Sequence, residues 1–278
     1  MALAQRHVRK GLSDAESFYD QRRIAMTLAP ILEIPHRVVV EVGSGYGAAT
    51  RALSKAEGVR LAVGIEADPV LLRESGLPGY RPAYVLADAE RVLPFRAGSV
   101  DSLLSSEVYE HMYQPEAFFR EAHRVLRPGG RLVLTTPNTE SLVLMFLRRL
   151  PREWARGILT RDNPNMRRFH PEFFGVVVTS GPHGHRIEGA SVREMERLAP
   201  AYGFRQIRAT TWGLPGSHAF WDRLPRGLRI FLMKYLHALG VGLRHILVIW
   251  ERGSELPGEL SASHHSPDEV PPIGERTP

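Results

Sequence analysis

Val38-Val-Val-Glu-Val-Gly-Ser-Gly-Tyr-Gly47 is the stretch whose reading decides the fold. Arg37–Val42 is short, apolar and rich in β-branched residues, which predicts a buried strand. Glycines at 43, 45 and 47 follow at once, and 48–56 reads as a helix. Glycine lets the chain turn sharply and approach a ligand with no Cβ in the way. The N–H groups that open the next helix favour a carboxylate or phosphate there. By itself this element admits two cofactors. Gly43, Gly45 and Ala48 also fit the dinucleotide pattern, with Glu66 about 20 residues on, where a ribose-binding acid belongs.

Working outward, strands are predicted at Leu61–Ile65 (followed by Glu66), Ala83–Leu86 (ending near Asp88), Val100–Ser105 and Arg131–Thr136. Pro115 opens a helix in which Phe118, Phe119, Ala122, Val125 and Leu126 recur at helical spacing, and Arg127-Pro-Gly-Gly130 reads as the turn that stops it. Strands alternating with helices imply a parallel sheet covered on both faces. The rhythm breaks over 141–190, read as a helical lid insertion. It returns with a helix over Val192–Tyr202 that ends at Gly203, then strands over Phe204–Thr211 and His245–Trp250. The division expected is a helical leader over 1–34, one α/β domain over 35–252, and a disordered tail over 253–278, which is rich in Ser, Pro, Glu and His. In the leader, Phe18, Tyr19, Ile24 and Leu28 can share one face.

Composition agrees with an enzyme-sized α/β domain. The 278 residues are 43% hydrophobic and 24% charged, enough for a substantial core. Cysteine is absent, which excludes disulfides, thiolate metal sites and a cysteine nucleophile. The first ten residues hold no apolar stretch of signal-peptide length, and a cytoplasmic location is expected. Arg229–Trp250 is the nearest thing to a membrane span, but Lys234, His237, Arg244, His245, Gly240 and Gly242 interrupt it, so a helix followed by a buried strand is predicted. The net charge of +6 is almost all arginine, the lysines being Lys10, Lys55 and Lys234. Basic clusters lack the interleaved aromatics of single-strand grooves, so no nucleic-acid partner is expected.

Three features separate the two cofactors. Glu41 at the strand end can meet an ammonium group and would repel a pyrophosphate. Asp88-Ala-Glu90 follows the third strand, where a carboxylate can accept adenine amino hydrogens. Then Leu93-Pro-Phe95, Ser99-Val-Asp101, Ser105-Ser-Glu-Val-Tyr-Glu-His111, Arg124-Val-Leu-Arg-Pro-Gly-Gly130 and Leu134-Thr-Thr-Pro-Asn138 arrive in order.

With these motifs the chain resembles the class I S-adenosylmethionine (SAM)-dependent methyltransferases, and more narrowly the type 11 group that includes ubiquinone and menaquinone biosynthesis enzymes. The resemblance is strong over 36–140 and loose over 190–252. It implies a Rossmann-like, seven-stranded, mostly parallel sheet with helices on both faces and an antiparallel last strand. It also implies SAM as cofactor. Gly43, Gly45 and Gly47, with Ser44 and Tyr46 between them, would flank the methionyl part, and Glu66, with Ala67 beside it, would bind the ribose hydroxyls. Asp88 would face the adenine amine, Ala89 would lie beside the ring with Glu90 next to it, and Ser105 and Ser106 would close over the sulfonium. Relatives also suggest Tyr19 as a cover for the cofactor.

Methyl transfer asks mainly for alignment, and an alcohol or phenol acceptor also gains from a general base. His111, following the fourth strand at the ligand-binding edge, is the candidate base; a packing or cofactor-contact histidine is the competing reading. His170, His183 and His185 lie in or just after the lid, and His183-Gly-His185 is too thin for a metal site, so no metal is expected. Leu142-Val-Leu-Met-Phe-Leu147, with arginines from 148 to 168 and Trp154, reads first as a core-facing helix with a solvated arginine face; the other reading is a segment that grips an amphipathic anion or rests on a membrane through 141–170. Ser105-Ser-Glu-Val stands where enzymes that methylate base amines carry Asn/Asp-Pro-Pro-aromatic, so oxygen or carbon of a small or lipid-like molecule is the expected acceptor. The rivals are a non-catalytic SAM-binding protein and an NAD(P)-dependent oxidoreductase. The latter would offer a Tyr-x-x-x-Lys pair, which the three lysines do not form.

Overall fold

Alternation along one strand sets the architecture. In the computed structural model the described residues are 24–33, 38–75, 83–138, 192–212 and 245–254, with short pieces at 149, 178–179, 184–185, 224–225, 227–228, 231–232 and 235. Strand β1 is Val38–Val42. Val40 and Val42 point into one apolar layer and Val39 into the other, as a period of two requires. A helix over 24–32, α1, precedes it. Then come α2 (Ala48–Leu53), β2 (Leu61–Glu66), α3 (Pro69–Ser75), β3 (Ala83–Leu86), β4 (Val100–Ser106), a 3₁₀ turn (Tyr109–His111), α4 (Pro115–Val125) and β5 (Leu126–Pro137). The chain continues with β6 (Val178–Thr179), β7 (Gly184–His185), α5 (Val192–Ala201), β8 (Phe204–Trp212) and β9 (His245–Arg252).

Seven strands form one sheet in the order β3-β2-β1-β4-β5-β9-β8, while β6 and β7 pair by themselves. β3, β2, β1, β4 and β5 run parallel. β9 is antiparallel to both β5 and β8, so the last strand alone runs against the rest. This is the Rossmann-like sheet expected from the sequence.

Each face has its own cover. On one, Phe118, Phe119 and Ala122 of α4 and Met195 and Ala199 of α5 pack on Val40, Ile65, Leu103, Leu132 and Trp250. On the other, Leu28 and Ile31 of α1 and Ala49 and Leu53 of α2 pack on Val39, Ala62, Leu104, Val133 and Ile249. Burying one such side chain is worth about 1.5–3 kcal/mol, so these two layers are the main stabilising force.

Several motif residues turn out to be joints. Asp101 accepts the Val38 N–H at 2.8 Å and the Arg127 guanidinium at 2.6 Å, tying β4 to the start of β1 and to β5. Arg124 donates to the Leu93 and Phe95 carbonyls, both at 2.8 Å, and to Glu121 at 2.7 Å. The Leu93-Pro-Phe95 loop is thereby fastened to α4.

The Arg127–Gly130 stretch differs from expectation. The helix does stop at Val125, but β5 begins at Leu126 with no intervening loop. Between the Val100–Leu126 and Ser102–Arg131 pairs, β4 advances two residues and β5 five, so the stretch bulges from the ladder. The Arg127–Asp101 pair and the 2.6 Å bond from Arg252 to the Leu126 carbonyl hold the first end of the bulge in the sheet, and the Ser102–Arg131 pair resumes the ladder at the other. Helix α2 stops at Leu53, short of 56, as i→i+3 bonds from Lys55 and Ala56 tighten its end. Within Arg229–Trp250, His245–Trp250 is strand, every residue buried, and positions 231–232 and 235 are helical. Among the described residues no helix is long and apolar enough to cross a membrane. Phe18, Tyr19, His170, His183, most of 141–190 and the tail from 255 lie outside the described residues.

Candidate active site

At the carboxyl edge of the parallel strands, β1 ends in the glycine loop and β2 in Glu66. Open α/β sheets bind ligands at this edge. Gly43 and Gly47 adopt φ of 69° and 74°, the left-handed region that favours glycine. A Cβ on Gly43 would overlap Val108, and one on Gly47 would overlap the Tyr84 hydroxyl. A Cβ on Gly45, by contrast, would meet nothing within 4 Å. The loop is thus packed hard beneath and open above Gly45.

Loop and acid are clasped together. One Glu66 oxygen accepts the Gly45 N–H at 2.7 Å; the other accepts the N–H groups of Ala67 at 2.9 Å and Asp68 at 3.0 Å. The oxygen facing Gly45 takes one bond from the described residues, the other two. Ser44 donates its backbone N–H to the Ile65 carbonyl at 2.9 Å. Glu41 lies a layer deeper, 5% exposed, with its carboxylate taking the Thr50 hydroxyl of α2. Arg51, also buried, donates to the Tyr46 carbonyl at 2.6 Å, while the Tyr46 side chain is exposed.

Asp88 and Glu90 stand after β3. Asp88 accepts the Glu90 N–H at 2.9 Å and lies 3.7 Å from Arg91. Glu90 takes the Gln114 N–H, and Ala89 is buried beside them.

At the end of β4, Ser105 is fully buried and Ser106 shares a 3.0 Å hydrogen bond with Thr135. Glu107 has φ 59°, the one non-glycine residue with positive φ among the described residues. Such a backbone costs on the order of 1–3 kcal/mol and clusters at functional sites. Its N–H bonds the Thr135 carbonyl at 2.8 Å, and its carboxylate lies 3.2 Å from Nδ1 of His245, at the start of β9. Because β9 runs backwards, its first residue reaches the edge where the parallel strands end. Trp212, ending β8, tilts against the His245 ring at 5.3 Å. Glu110 is buried and accepts the Thr136 hydroxyl at 3.0 Å, and Tyr109 donates to Glu194 of α5 at 2.8 Å. His111, half-buried, closes the 3₁₀ turn with its N–H on the Val108 carbonyl at 2.9 Å.

The fold brings Gly43, Ser44, Gly45, Tyr46, Gly47, Glu66 and Ala67 together at the ends of β1 and β2, sets Asp88, Ala89 and Glu90 beyond β3, ends β4 in Ser105 and Ser106, and sets His111 beyond it. Thr50, Arg51, Tyr84, Glu107, Glu110 and His245 carried no assigned role in the sequence. Glu107 and Glu110 lay inside a quoted motif, but a positive φ and a cross-sheet partner leave no mark on sequence spacing.

The donor set suits SAM. It combines open space above Gly45, a carboxylate at the end of β2, and two buried hydroxyls, Ser44 Oγ and Ser105 Oγ, that have no hydrogen-bond partner among the described residues. Orphaned buried hydroxyls cost energy unless something polar meets them. Among the described residues no cluster of three or more His, Asp or Glu could hold a metal ion.

Residues 40–134 match the family described as a methyltransferase domain. An uncharacterized methyltransferase of Mycobacterium tuberculosis is 39% identical over 176 residues, covering 60% of this chain and 68% of that protein. One from Mycobacterium leprae is 41% identical over 102 residues, so that the match spans only 36% of each protein's length. Among solved structures, the complex of a putative methyltransferase with the Trm112 activator from Haloferax volcanii aligns with TM-score 0.55 and 17% identity, covering 84% of this chain and 92% of that one, which speaks for the fold alone. Sheet order, the glycine loop clasped by Glu66, and a mycobacterial relative matched over two thirds of its length lead to one assignment: the chain belongs to the class I SAM-dependent methyltransferases.

Proposed function

We propose that this protein binds SAM in the cleft between the glycine loop and Ser105, and transfers its methyl group to oxygen or carbon of a small or lipid-like acceptor. The observation that carries the reading is the clasp: Glu66 meets Gly45 N–H at 2.7 Å with one oxygen, while the space above Gly45 is open. When bound, SAM supplies a methyl group on a positively charged sulfur. The chain's own residues then have to orient and desolvate. Glu66, with Ala67 beside it, takes the ribose hydroxyls through the oxygen that faces Gly45. Gly43 to Gly47 cradle the amino-acid end, and Glu41 adds negative charge from beneath. Asp88 faces the adenine amine with Ala89 and Glu90 alongside, and Ser105 and Ser106 lie next to the sulfonium. Such alignment can supply roughly 7–11 kcal/mol of the barrier. For an acceptor that must lose a proton, His111 takes it, a role worth about 10²–10⁴-fold.

Calorimetric titration with SAM, S-adenosylhomocysteine and NAD tests the cofactor. Binding of the first two and not the third is expected; binding of NAD alone would overturn the reading. Turnover on a panel of phenols, alcohols and activated carbon acids then tests the enzyme, and His111→Ala is expected to lower turnover of hydroxyl acceptors without changing SAM affinity. The expectations of a cytoplasmic location and of weak membrane contact through 141–170 belong to the same proposal. Sedimentation with anionic vesicles at low salt, reversed at high salt, tests the second.

A further inference from the structure

Glu41, Gly64 and Tyr84 sit side by side in register across β1, β2 and β3. They share the sheet face covered by α2. The middle member has no side chain, and the Tyr84 ring occupies that gap: a Cβ on Gly64 would come within 2.7 and 2.8 Å of ring carbons. Lying across β2, Tyr84 donates its hydroxyl to the Gly47 carbonyl at 3.3 Å. Gly47 is the residue that enters α2 in the left-handed conformation, and its carbonyl also accepts the Arg51 N–H at 3.0 Å. Arg51 completes the arrangement by gripping the Tyr46 carbonyl at 2.6 Å. Burial pushes the Tyr84 phenol above its ordinary range, the Arg51 guanidinium hydrogen-bonded to it opposes this, and Glu41 adds to the rise, so the three groups are electrostatic neighbours.

We propose that Tyr84, an edge-strand residue, is a positioning residue for the cofactor: lying across Gly64, it holds the last turn of the glycine loop in the shape that receives the amino-acid end of SAM. The claim rests on the SAM reading above and refines it. Its consequence is selective. The lock touches Tyr46 and Gly47, whereas Glu66 and Asp88, assigned to ribose and adenine, are held by other contacts. Loosening the lock therefore weakens ligands that carry the amino-acid end and spares those that lack it.

The test titrates wild-type protein, Tyr84→Phe and Gly64→Ala with S-adenosylhomocysteine and with 5′-methylthioadenosine, the nucleoside without the amino-acid end. Loss of the hydroxyl's bonds to the Gly47 carbonyl and the Arg51 guanidinium predicts S-adenosylhomocysteine binding weaker by about two- to tenfold in Tyr84→Phe. Gly64→Ala, which crowds the ring and also the Ser44 Cβ at 2.9 Å, is expected to lose more. Methylthioadenosine affinity is expected to stay within about twofold of wild type in Tyr84→Phe, even though losing the half-buried hydroxyl is expected to lower the melting temperature of the ligand-free protein. Equal weakening of both ligands in Tyr84→Phe, or no weakening of either, would overturn the lock. If the wild-type protein binds neither ligand, the SAM reading itself falls and this proposal with it. Should Gly64→Ala fail to fold, the Tyr84→Phe comparison decides alone.

Discussion

The two halves of the sheet's carboxyl edge are built differently. Along β3, β2 and β1 the polar contacts are mostly made to backbone: Glu66 bonds three N–H groups, Asp88 bonds the Glu90 N–H, and Tyr84 and Arg51 bond loop carbonyls. Along β4, β5, β9 and β8 side chains meet side chains, as in Glu107 with His245, Tyr109 with Glu194 and Thr136 with Glu110. A backbone cradle suits a ligand that never changes. A side-chain lattice can be altered one residue at a time, which suits a surface that distinguishes acceptors. Val108 joins the halves by packing where a Cβ on Gly43 would have to go.

Gly43→Ala is the most severe way to break this division. It adds a left-handed penalty of about 1–2 kcal/mol to an overpacking cost of about 1–3 kcal/mol. Chemical denaturation should show the sum, and S-adenosylhomocysteine binding should be lost. Glu66→Ala comes next, since it leaves three N–H groups without their acceptor. Bonds to a charged group are worth about 1.5–3 kcal/mol each, so S-adenosylhomocysteine affinity should fall by at least about tenfold. Unchanged affinity would place the ligand elsewhere.

An acid effect follows at His123 of α4, whose ring lies against Phe204 of β8. Burial, with Arg252 adding to it, lowers the His123 pKa to about 4. The unfolded chain protonates this histidine near its ordinary value of about 6.5, so it binds more protons than the folded chain between those values. The stability of neutral His123 is therefore complete above about pH 6.5 and is lost as pH falls toward 4. Denaturation midpoints measured across that window should decline in the wild-type protein and decline less in His123→Asn. The mildest test is Tyr109→Phe, which removes the bond to Glu194 and should cost about 1 kcal/mol while S-adenosylhomocysteine affinity holds. If instead the affinity moved and stability did not, the two halves would be less separate than their contacts suggest.

The difference between the halves also explains what was legible in advance. The glycine turn, the places of Glu66 at the end of β2 and Asp88 just after β3, and every strand of the main sheet could be read, because β-branched runs, glycine spacing and an acid at a strand end are local signals. Arg127-Pro-Gly-Gly130 was misread as a terminating turn, since its composition is that of a turn and only the Asp101 and Arg252 contacts fold it into β5 as a bulge.

Sequence alone determined the strands, the helices between them and a helix-covered parallel sheet, because short-range periodicity and spacing encode them directly; the antiparallel last strand and the family followed from the resemblance that the ordered motifs carry. Tertiary structure alone decided that Tyr84 spans Gly64 to reach the glycine loop, that Glu107 takes a positive φ, and that His245 stands beside it across 138 residues of chain. Those facts depend on strand register and on which ends of β4 and β9 meet, and register is fixed only when both apolar faces of the sheet are buried at once.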